Sequence, residues 1–132
     1  MATVNMVKKT SYDTPKSILI APEKAFSIPV IVGNTGVSAG SDGRKIIKAG
    51  TAVGGDTSVL TNRQTALKVT NDSSNGSKSQ GILLHDVDVT DGDANATMLV
   101  FGFVDLNKIE TTAQPVTEAQ KALTKITFMK SI

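Results

Sequence analysis

The stretch that decides the fold is residues 81–104, "GILLHDVDVTDGDANATMLVFGFV". β-Branched, aromatic and other apolar residues dominate both of its ends, which predicts two strands, from Ile82 to Val89 and from Asn95 to Val104. The Asp91-Gly92 pair between them supplies the positive φ that a tight hairpin turn requires. We therefore predict a β-hairpin at the centre of a β-rich domain.

Side chains alternate between the two sides of a strand, so the first strand of this hairpin has two predicted sides. One side carries Leu84, Asp86 and Asp88, and the other carries Leu83, His85, Val87 and Val89. The carboxylates then mark a solvated side near the tip of the hairpin.

The acidic residues of the hairpin also raise the question of a calcium loop. An EF-hand loop needs oxygen ligands at positions 1, 3 and 5, a Gly at position 6 and a Glu at position 12. If Asp91 is the first ligand, positions 6 and 12 are Ala96 and Gly102, and if Asp86 is the first, they are Asp91 and Thr97. The flanking segments predict strands rather than helices. We therefore expect neither a metal site nor a cofactor in this chain.

Further strands are predicted on both sides of the hairpin. They are "FSIPVIV" at 26–32, a short strand around Ile46 and Ile47, the alternating segment 64–71, and the final "KITFMKSI" at 125–132. Pro29 restricts the first of these to a sheet edge or a strand end. In the last, Ile126 and Phe128 share one side, and Thr127 and Met129 share the other.

One short helix is predicted near the C-terminus. Thr117 and Gln120 match a capping box, which opens a helix through about Leu123. Residues 33–43 contain four glycines in eleven positions and predict a loop. The fold class is therefore mainly β, a β-rich α+β arrangement, with a small compact domain of short strands and hairpins and one short C-terminal helix.

Composition indicates one soluble domain with a modest core. The chain has 132 residues, of which 39% are hydrophobic and 20% charged, but aromatic residues make up only 4% and Trp is absent. A small domain with few large side chains is often completed by a partner. The sequence contains no Cys, which excludes disulfides and thiolate metal sites.

Charge and hydropathy exclude two classes of partner. The net charge is only +2 and is scattered along the chain, which argues against a nucleic-acid groove. The longest apolar run near the start is "ILIA" at 18–21, too short for a signal-peptide core or a membrane span. We therefore expect no nucleic-acid partner and no membrane partner.

Residues 1–25 differ from the rest of the chain. They are polar and basic, lack a sustained periodicity, and contain Pro15 and Pro22. Terminal stretches of this kind are usually disordered unless something holds them in place. We predict a flexible N-terminal arm over 1–25, preceding a folded domain over 26–132, and expect that deleting residues 2–20 leaves the domain folded.

One catalytic motif occurs by sequence. "GVSAG" at 36–40 matches G-x-S-x-G, and Ser38 is followed by Asp56 or Asp72 and then by His85, which is the hydrolase order. A nucleophile elbow must lead directly into a helix, whereas Ser38 is followed by "AGSDGRK". A lone His also lacks the other groups that a metal or acid–base site requires. We therefore predict that the chain is not an enzyme.

The segment 81–128 resembles the C-terminal half of the head-decoration proteins of tailed phages, the lambda-type capsid-cementing family. The shared features are a "GIL" strand, an acidic stretch, a second strand ending in G-x-V, a loop with Asp and Leu, a short Lys-containing helix and a final strand. In this chain they occupy residues 81–83, 86–93, 99–104, 105–109, 117–121 and 126–128. The segment "RKIIKAGTAVGG" is similar to an element that precedes them in such proteins.

This resemblance implies a non-enzymatic virion protein. It implies a homotrimer that binds the major capsid protein on the outer surface of an expanded head, at three-fold and quasi-three-fold sites, and stabilises the head against genome pressure. Such a protein is made in the host cytoplasm. The N-terminal arm is the predicted capsid-binding element, through strand addition to an exposed sheet edge, which trimerisation would strengthen by avidity. Its candidate contact residues are Tyr12, Pro15, Ile18, Leu19 and Ile20.

The alternative is a head-fibre or receptor-binding module on the virion surface. Such a module shares the β-rich, Cys-free composition but should carry a cluster of aromatic residues on its surface. Tyr12 is the only Tyr in the chain.

Overall fold

The computed structural model describes residues 18–130. This part of the chain is mainly β structure with one short α-helix, which confirms the predicted fold class. Its strands are β1 (Phe26–Val32), β2 (Ile46–Ile47), β3 (Ala52–Gly54), β4 (Ala66–Val69), β5 (Ser79–Leu83), β6 (Val87–Asp88), β7 (Ala94–Asp105) and β8 (Ile126–Met129). The helix is α1 (Thr117–Ala122), and single 3-10 turns lie at Pro22–Lys24, Gly76–Lys78, Leu106–Lys108 and Thr111–Ala113.

The long strand β7 closes the main sheet into a small barrel. One edge of β7 pairs with β1 and the other with β5, and both pairings are antiparallel. β5 continues to β3 and then to β4, and β4 returns to β1 in a parallel pairing. These five strands therefore form a closed ring. β8 lies outside it, parallel to the last residues of β7.

Alternation along the barrel strands divides the core into two clusters. Inside the barrel, Met98 of β7 packs with residues of β1, β3, β4 and β5; these are Ile28, Val30, Val32, Val53, Leu67 and Leu83. The neighbouring Leu99 faces the other side of the sheet and belongs to a second cluster. That cluster is covered by α1 and the loops around it, through Ala119, Leu123 and Ile109. The outside of the barrel is thus buried along β5 and β7.

The predicted tight hairpin forms only in part. Gly92 has the predicted positive φ, 126°, but its N–H donates to the carbonyl of Val89, so the central residues of the turn are Thr90 and Asp91. The first strand is also shorter than expected, and β5 pairs with β7 through Leu83 and Met98. The chain then bends, and β6 pairs with β2 instead of continuing beside β7. The bend is held by Asp86, whose Oδ1 accepts a hydrogen bond of 2.8 Å from the backbone of Ala49.

This bend changes the predicted arrangement of side chains. Leu83, Val87 and Val89 are buried in the barrel cluster, as predicted. His85, assigned to the same side, is exposed because it lies in the bend and not in a strand. The prediction for His85 was therefore wrong.

The other predicted strands form, as β1, β2, β4 and β8, whereas β3 was not predicted. Pro29 pairs with Thr97 of β7, and on the other side of β1 the strand β4 reaches only Ile31 and Val32. The carbonyl of Pro29 instead accepts a hydrogen bond of 3.1 Å from the Arg63 guanidinium. On the side towards β4, no described strand pairs with Pro29, so the N–H that proline lacks is not required there. This agrees with the prediction that Pro29 lies at a sheet edge.

The helix α1 begins at Thr117 as predicted, but the capping box does not form. The N-cap residue is Val116, and no side chain caps the helix. The backbone N–H of Val116 donates to Oδ1 of Asn71 over 2.8 Å, and the Gln120 amide donates to the carbonyl of Pro115 over 2.9 Å. Asn71, 45 residues earlier in the chain, therefore accepts from the N-cap N–H, the role expected of the Gln120 side chain in a capping box.

The last eight residues of the predicted arm, 18–25, pack on the barrel. The carbonyl of Ile18 accepts a 2.8 Å hydrogen bond from the backbone of Asp105, and Leu19 forms a β-bridge with Val104. The Ile18 side chain is only 2% exposed and lies in the cluster beneath α1. The packed body therefore begins no later than Ile18 and not at residue 26, whereas Tyr12 and Pro15 lie outside the described residues.

The burial of Ile18 contradicts the expectation that residues 2–20 can be removed without loss of stability. We predict that Ile18→Ala lowers the free energy of unfolding by about 2–4 kcal/mol, because it leaves a cavity in the cluster. The matched control is Ile20→Ala, which truncates an exposed side chain two residues later and should cost less than about 1 kcal/mol. Urea unfolding of the three proteins measures both changes. Equal and small effects would mean that Ile18 is not part of the core.

Candidate functional site: an exposed phenylalanine face

Three of the four phenylalanines of this chain are exposed. Phe26 is 58% exposed, Phe101 48% and Phe103 38%. Phenylalanine is among the residues most often buried, so exposed copies close together are informative. In a chain whose aromatic content is 4%, three exposed phenylalanines are a large share of the aromatic residues.

Strand pairing brings these side chains together. Phe26 of β1 lies directly opposite Phe101 of β7. The backbone N–H of Ile20 donates to the carbonyl of Phe103 over 3.0 Å, next to the bridge that joins Leu19 and Val104. Residues opposite each other in an antiparallel pair, and residues two apart in a strand, lie on the same side. Met129 of β8, also exposed, lies on this side too. We call Ile20, Phe26, Phe101, Phe103 and Met129 the Phe face.

The Phe face continues a row of barrel-core residues beyond the end of the barrel. Ile28 and Met98 are opposite each other and buried, and the next pair on that side of β1 is Phe26 with Phe101. The pairing register shifts between these two pairs, at Val100. No described segment covers this last pair. The apolar row of the barrel interior therefore ends in solvent.

Gly102 lies at the point where β7 changes its partner from β5 to β8. Its φ is 152°, a backbone conformation that residues with a Cβ rarely adopt, and its N–H donates to the carbonyl of Lys125. Phe101 and Phe103 flank this glycine and are both exposed. The glycine thus allows the change of partner that leaves both rings on one side.

An open cavity of about 240 Å³ lies between β5 and residues 122–125, which lead into β8. Met98 and Val100 of β7 line it, together with Leu60, which is 63% exposed. Lys125 and Gln80 supply polar groups at its edge. Because Met98 belongs to the row that leads to Phe101, the cavity and the Phe face extend from the same side of β7.

The area of the Phe face is that of a binding surface. With side chains of about 150–250 Å² each, the exposed fractions correspond to roughly 450 Å² of apolar surface. The largest apolar patch on a typical monomer covers about 300–600 Å² and is often functional. At about 25 cal/mol per Å², covering such a patch contributes on the order of 10 kcal/mol before the costs of association.

Lysines border the Phe face. Lys24 precedes Phe26 by two residues, and Lys125 and Lys130 flank β8 on either side. Glu23 is the acidic residue of the same region. The opposite end of β7, roughly 25 Å away at about 3.3 Å per residue, carries the acidic hairpin turn. The two ends of the barrel therefore differ in both charge and hydropathy.

The carboxylates of the acidic hairpin hold its own loops in place. Oδ1 of Asp88 accepts hydrogen bonds from the hydroxyl of Thr90 over 2.5 Å and from its N–H over 2.9 Å, and Oδ2 pairs with Arg44 at 2.9 Å. These contacts, with the Thr90 hydroxyl foremost and Arg44 next, lower the pKa of Asp88 to about 2. No group of three or more His, Cys, Asp or Glu residues that could hold a metal ion occurs within residues 18–130.

The residues of the G-x-S-x-G hypothesis are not brought together. Ser38 lies in an exposed loop, and His85 lies in the bend after β5. Asp56 pairs with Lys78 at 2.8 Å, and Asp72 accepts hydrogen bonds from Asn75. Within the described part of the chain, no hydrogen bond joins Ser38 to His85 or to either aspartate.

His85 lines a second open cavity, of about 460 Å³, together with charged side chains. These charges pair with one another: Lys48 lies 4.0 Å from Asp86 and 3.9 Å from Glu110. All three side chains are about half exposed, so the interactions are weakened by solvent. The arrangement is that of a solvated ion-pair cluster.

No protein-family model matches the chain, and no curated protein matches it. The site is therefore described from its geometry alone. Among the described residues, no helix is both long enough and apolar enough to cross a membrane. Sequence reasoning did not find the Phe face, because it searched for tyrosine as the surface aromatic. The available signal was "FGF" at 101–103, in which two aromatics flank a glycine within a strand.

The environment of Asp88 predicts a specific pH dependence. Because its pKa is lowered from 3.8 to about 2, its contribution to stability is present above pH 3.8 and is lost as the pH falls towards 2. Thr90→Val and Arg44→Gln should each raise the pKa of Asp88 towards its ordinary value, since each removes a hydrogen bond to the carboxylate. Carbon-detected NMR titration of the carboxyl groups measures the change. Asp72, whose pKa is lowered by the amide of Asn75, is the internal control and should not move.

We predict that the acidic hairpin binds calcium no more tightly than roughly millimolar, because the Gly and Glu that shape an EF-hand loop are missing. Asp88 is also already engaged by Thr90 and Arg44. Isothermal titration calorimetry with calcium chloride tests this prediction, with magnesium chloride as the control for general counterion effects. A dissociation constant well below a millimolar that is lost in Asp91→Asn would contradict it, since Asn-Gly forms the same turn without the charge.

Proposed function

We propose that this protein is a structural component of a phage virion. It binds the outer surface of the expanded head as a trimer, at three-fold and quasi-three-fold sites, and stabilises the shell against genome pressure. The major capsid protein is its partner, and the chemistry is non-covalent association. The order of the segments between residues 81 and 128 supports this assignment by resemblance.

The Phe face is the observation that carries the proposal. A small domain that leaves three of its four phenylalanines exposed on one side is suited to assembly, because the missing part of its core is supplied by a partner. The barrel that presents this face is closed on itself through β1 and β7. A rigid face of this kind loses little conformational entropy on binding.

A receptor-binding module remains a second candidate, because the surface aromatic cluster expected of it is present. The chemistry of the cluster limits what such a module would bind. Phenylalanine lacks the O–H or N–H group with which tyrosine and tryptophan make polar contacts at wet interfaces. The cluster therefore fits a protein surface better than a glycan, and this favours the capsid over a carbohydrate receptor.

The proposal is tested by mixing the purified full-length protein with heads of the phage that encodes it, assembled without this protein. We expect it to sediment with expanded heads and not with unexpanded ones, and to raise the temperature at which expanded heads release DNA. Light scattering of the free protein measures whether it is already trimeric. Equal binding to both head forms, or to neither, would contradict the proposal.

The arm is tested with a deletion chosen to spare the packed residues. Removing residues 2–16 leaves Ile18 and the bridge at Leu19 in place, so we expect an unchanged unfolding midpoint. Attachment to expanded heads should weaken severely, because the arm adds main-chain hydrogen bonds that the body cannot supply. A matched variant, with residues 2–16 replaced by a Gly/Ser segment of equal length, controls for length. Full attachment by either protein would assign binding to the barrel alone.

A further inference from the structure

We infer that the Phe face is the surface through which the barrel docks on its protein partner, and that the partner offers an apolar groove bordered by carboxylates. This inference rests on the proposed function, under which the partner is the outer surface of the shell. The inference specifies which face of the barrel contacts the shell and which chemical groups the shell presents at that contact.

The area of the face agrees with what a stable protein interface needs. A standard interface buries about 800 Å² on each partner, and somewhat more than half of that area is apolar. The roughly 450 Å² of the Phe face equals this apolar share. The adjoining cavity of about 240 Å³, lined by Leu60, Met98 and Val100, gives the partner a place for an inserted side chain.

The charges around the face indicate an acidic partner. Lys24, Lys125 and Lys130 border it, and Glu23 is the exposed acidic residue beside them. Asp105, which pairs with Met129 of the face, is buried. The preceding residues, 1–17, contain three lysines and one aspartate. Lysines at the rim of an interface increase the association rate with a negatively charged surface and select against a positive one. The carboxylates required of the partner follow from this arrangement.

The chain enters the barrel beside the same face. The carbonyl of Ile18 is bonded to the backbone of Asp105, at the end of β7 that carries Phe103. A segment of 17 residues precedes this point. Fully extended at about 3.3 Å per residue, it spans up to roughly 56 Å, so an arm and the Phe face can engage one partner surface together.

A second copy of the chain is a poorer occupant of the face. In a two-fold contact of the face with itself, the lysines at the rim would meet the same lysines, which costs affinity. In the heterologous contact of a ring, the face would meet a different patch of the next copy, and outside the face the described residues expose one large hydrophobic side chain, Leu60. The shell is therefore the occupant to which we commit.

The test uses the full-length protein with Phe101→Thr and Phe103→Thr combined. Threonine preserves the strand preference of β7 while removing the aromatic surface. The control is Asn95→Thr, an exposed position in the same strand near its other end. We expect the double variant to retain its oligomeric state by light scattering and to lose at least tenfold in affinity for expanded heads. The control should bind as the wild-type protein does.

A second pair of variants tests the charge requirement. Lys24→Glu combined with Lys130→Glu should reduce affinity for expanded heads at least tenfold and flatten its dependence on salt. Lys121→Glu, an exposed lysine on α1, is the charge control and should have no more than a twofold effect.

The outcomes separate this inference from the proposed function. If wild-type protein binds heads and the phenylalanine variant binds equally well, the inference fails and the proposed function stands. If the variant changes from a trimer to a monomer, the face is a contact between copies and the inference fails in favour of self-association. If wild-type protein does not bind heads at all, the proposed function fails and the inference fails with it.

Discussion

The pairing of both edges of β7 is the constraint on which the rest of the structure depends. Residues 98 and 99 pair with β1 on one side and with β5 on the other, so the sheet closes on itself at this point. Closure places Met98 in the barrel and Leu99 under α1, and both are essentially inaccessible. Two core clusters thus meet at two consecutive residues. A chain with few large side chains gains from this arrangement, because β3, β5 and β7 each contribute buried side chains on two sides of the sheet.

The same constraint explains why the barrel is open next to this point. β5 leaves the edge of β7 at Gly81, where an added Cβ would collide with the carbonyl oxygen of Leu99. β8 joins that edge only from Gly102 onwards, in parallel rather than antiparallel pairing. The cavity lies between β5 and residues 122–125, which lead into β8, and the apolar row of β7 continues past it into solvent. The Phe face is therefore a consequence of strand closure and not an isolated surface feature.

The sequence predicted the fold well where local pattern and tertiary structure agree. β1, β4 and β8 alternate clearly, and Gly92 has the positive φ expected of a turn glycine. It failed where distant residues decided the outcome. The strand from Ile82 to Val89 is interrupted because Asp86 bonds to the backbone of Ala49, 37 residues away. The N–H of the N-cap residue of α1, Val116, donates to Asn71, which lies 45 residues earlier, and no local sequence pattern indicates either contact.

The Phe face could not be predicted from the sequence for a related physical reason. Alternation assigns Phe101 and Phe103 to one side of a strand, but it does not say whether that side is covered. Whether these side chains are covered depends on where the barrel ends. The end of the barrel is set by the pairing register of β1 with β7, which shifts between Ser27 and Phe26. Ile18 shows the converse case. It lies in a segment, 1–25, that is polar and basic overall and contains two prolines, yet pairing with the end of β7 buries it.

The Phe face and the N-terminal segment would contribute to binding in different ways. Ordering a free segment costs about 1–2 kcal/mol per residue in backbone entropy, so an arm alone must make many contacts before it gains any affinity. The Phe face carries no comparable cost, since its strands are already paired on the barrel. If the face docks first, the arm then binds at high effective concentration beside it. The order matters: a face of roughly 450 Å² is too small to give permanent attachment alone, but it is sufficient to hold the arm at its site while the arm pairs.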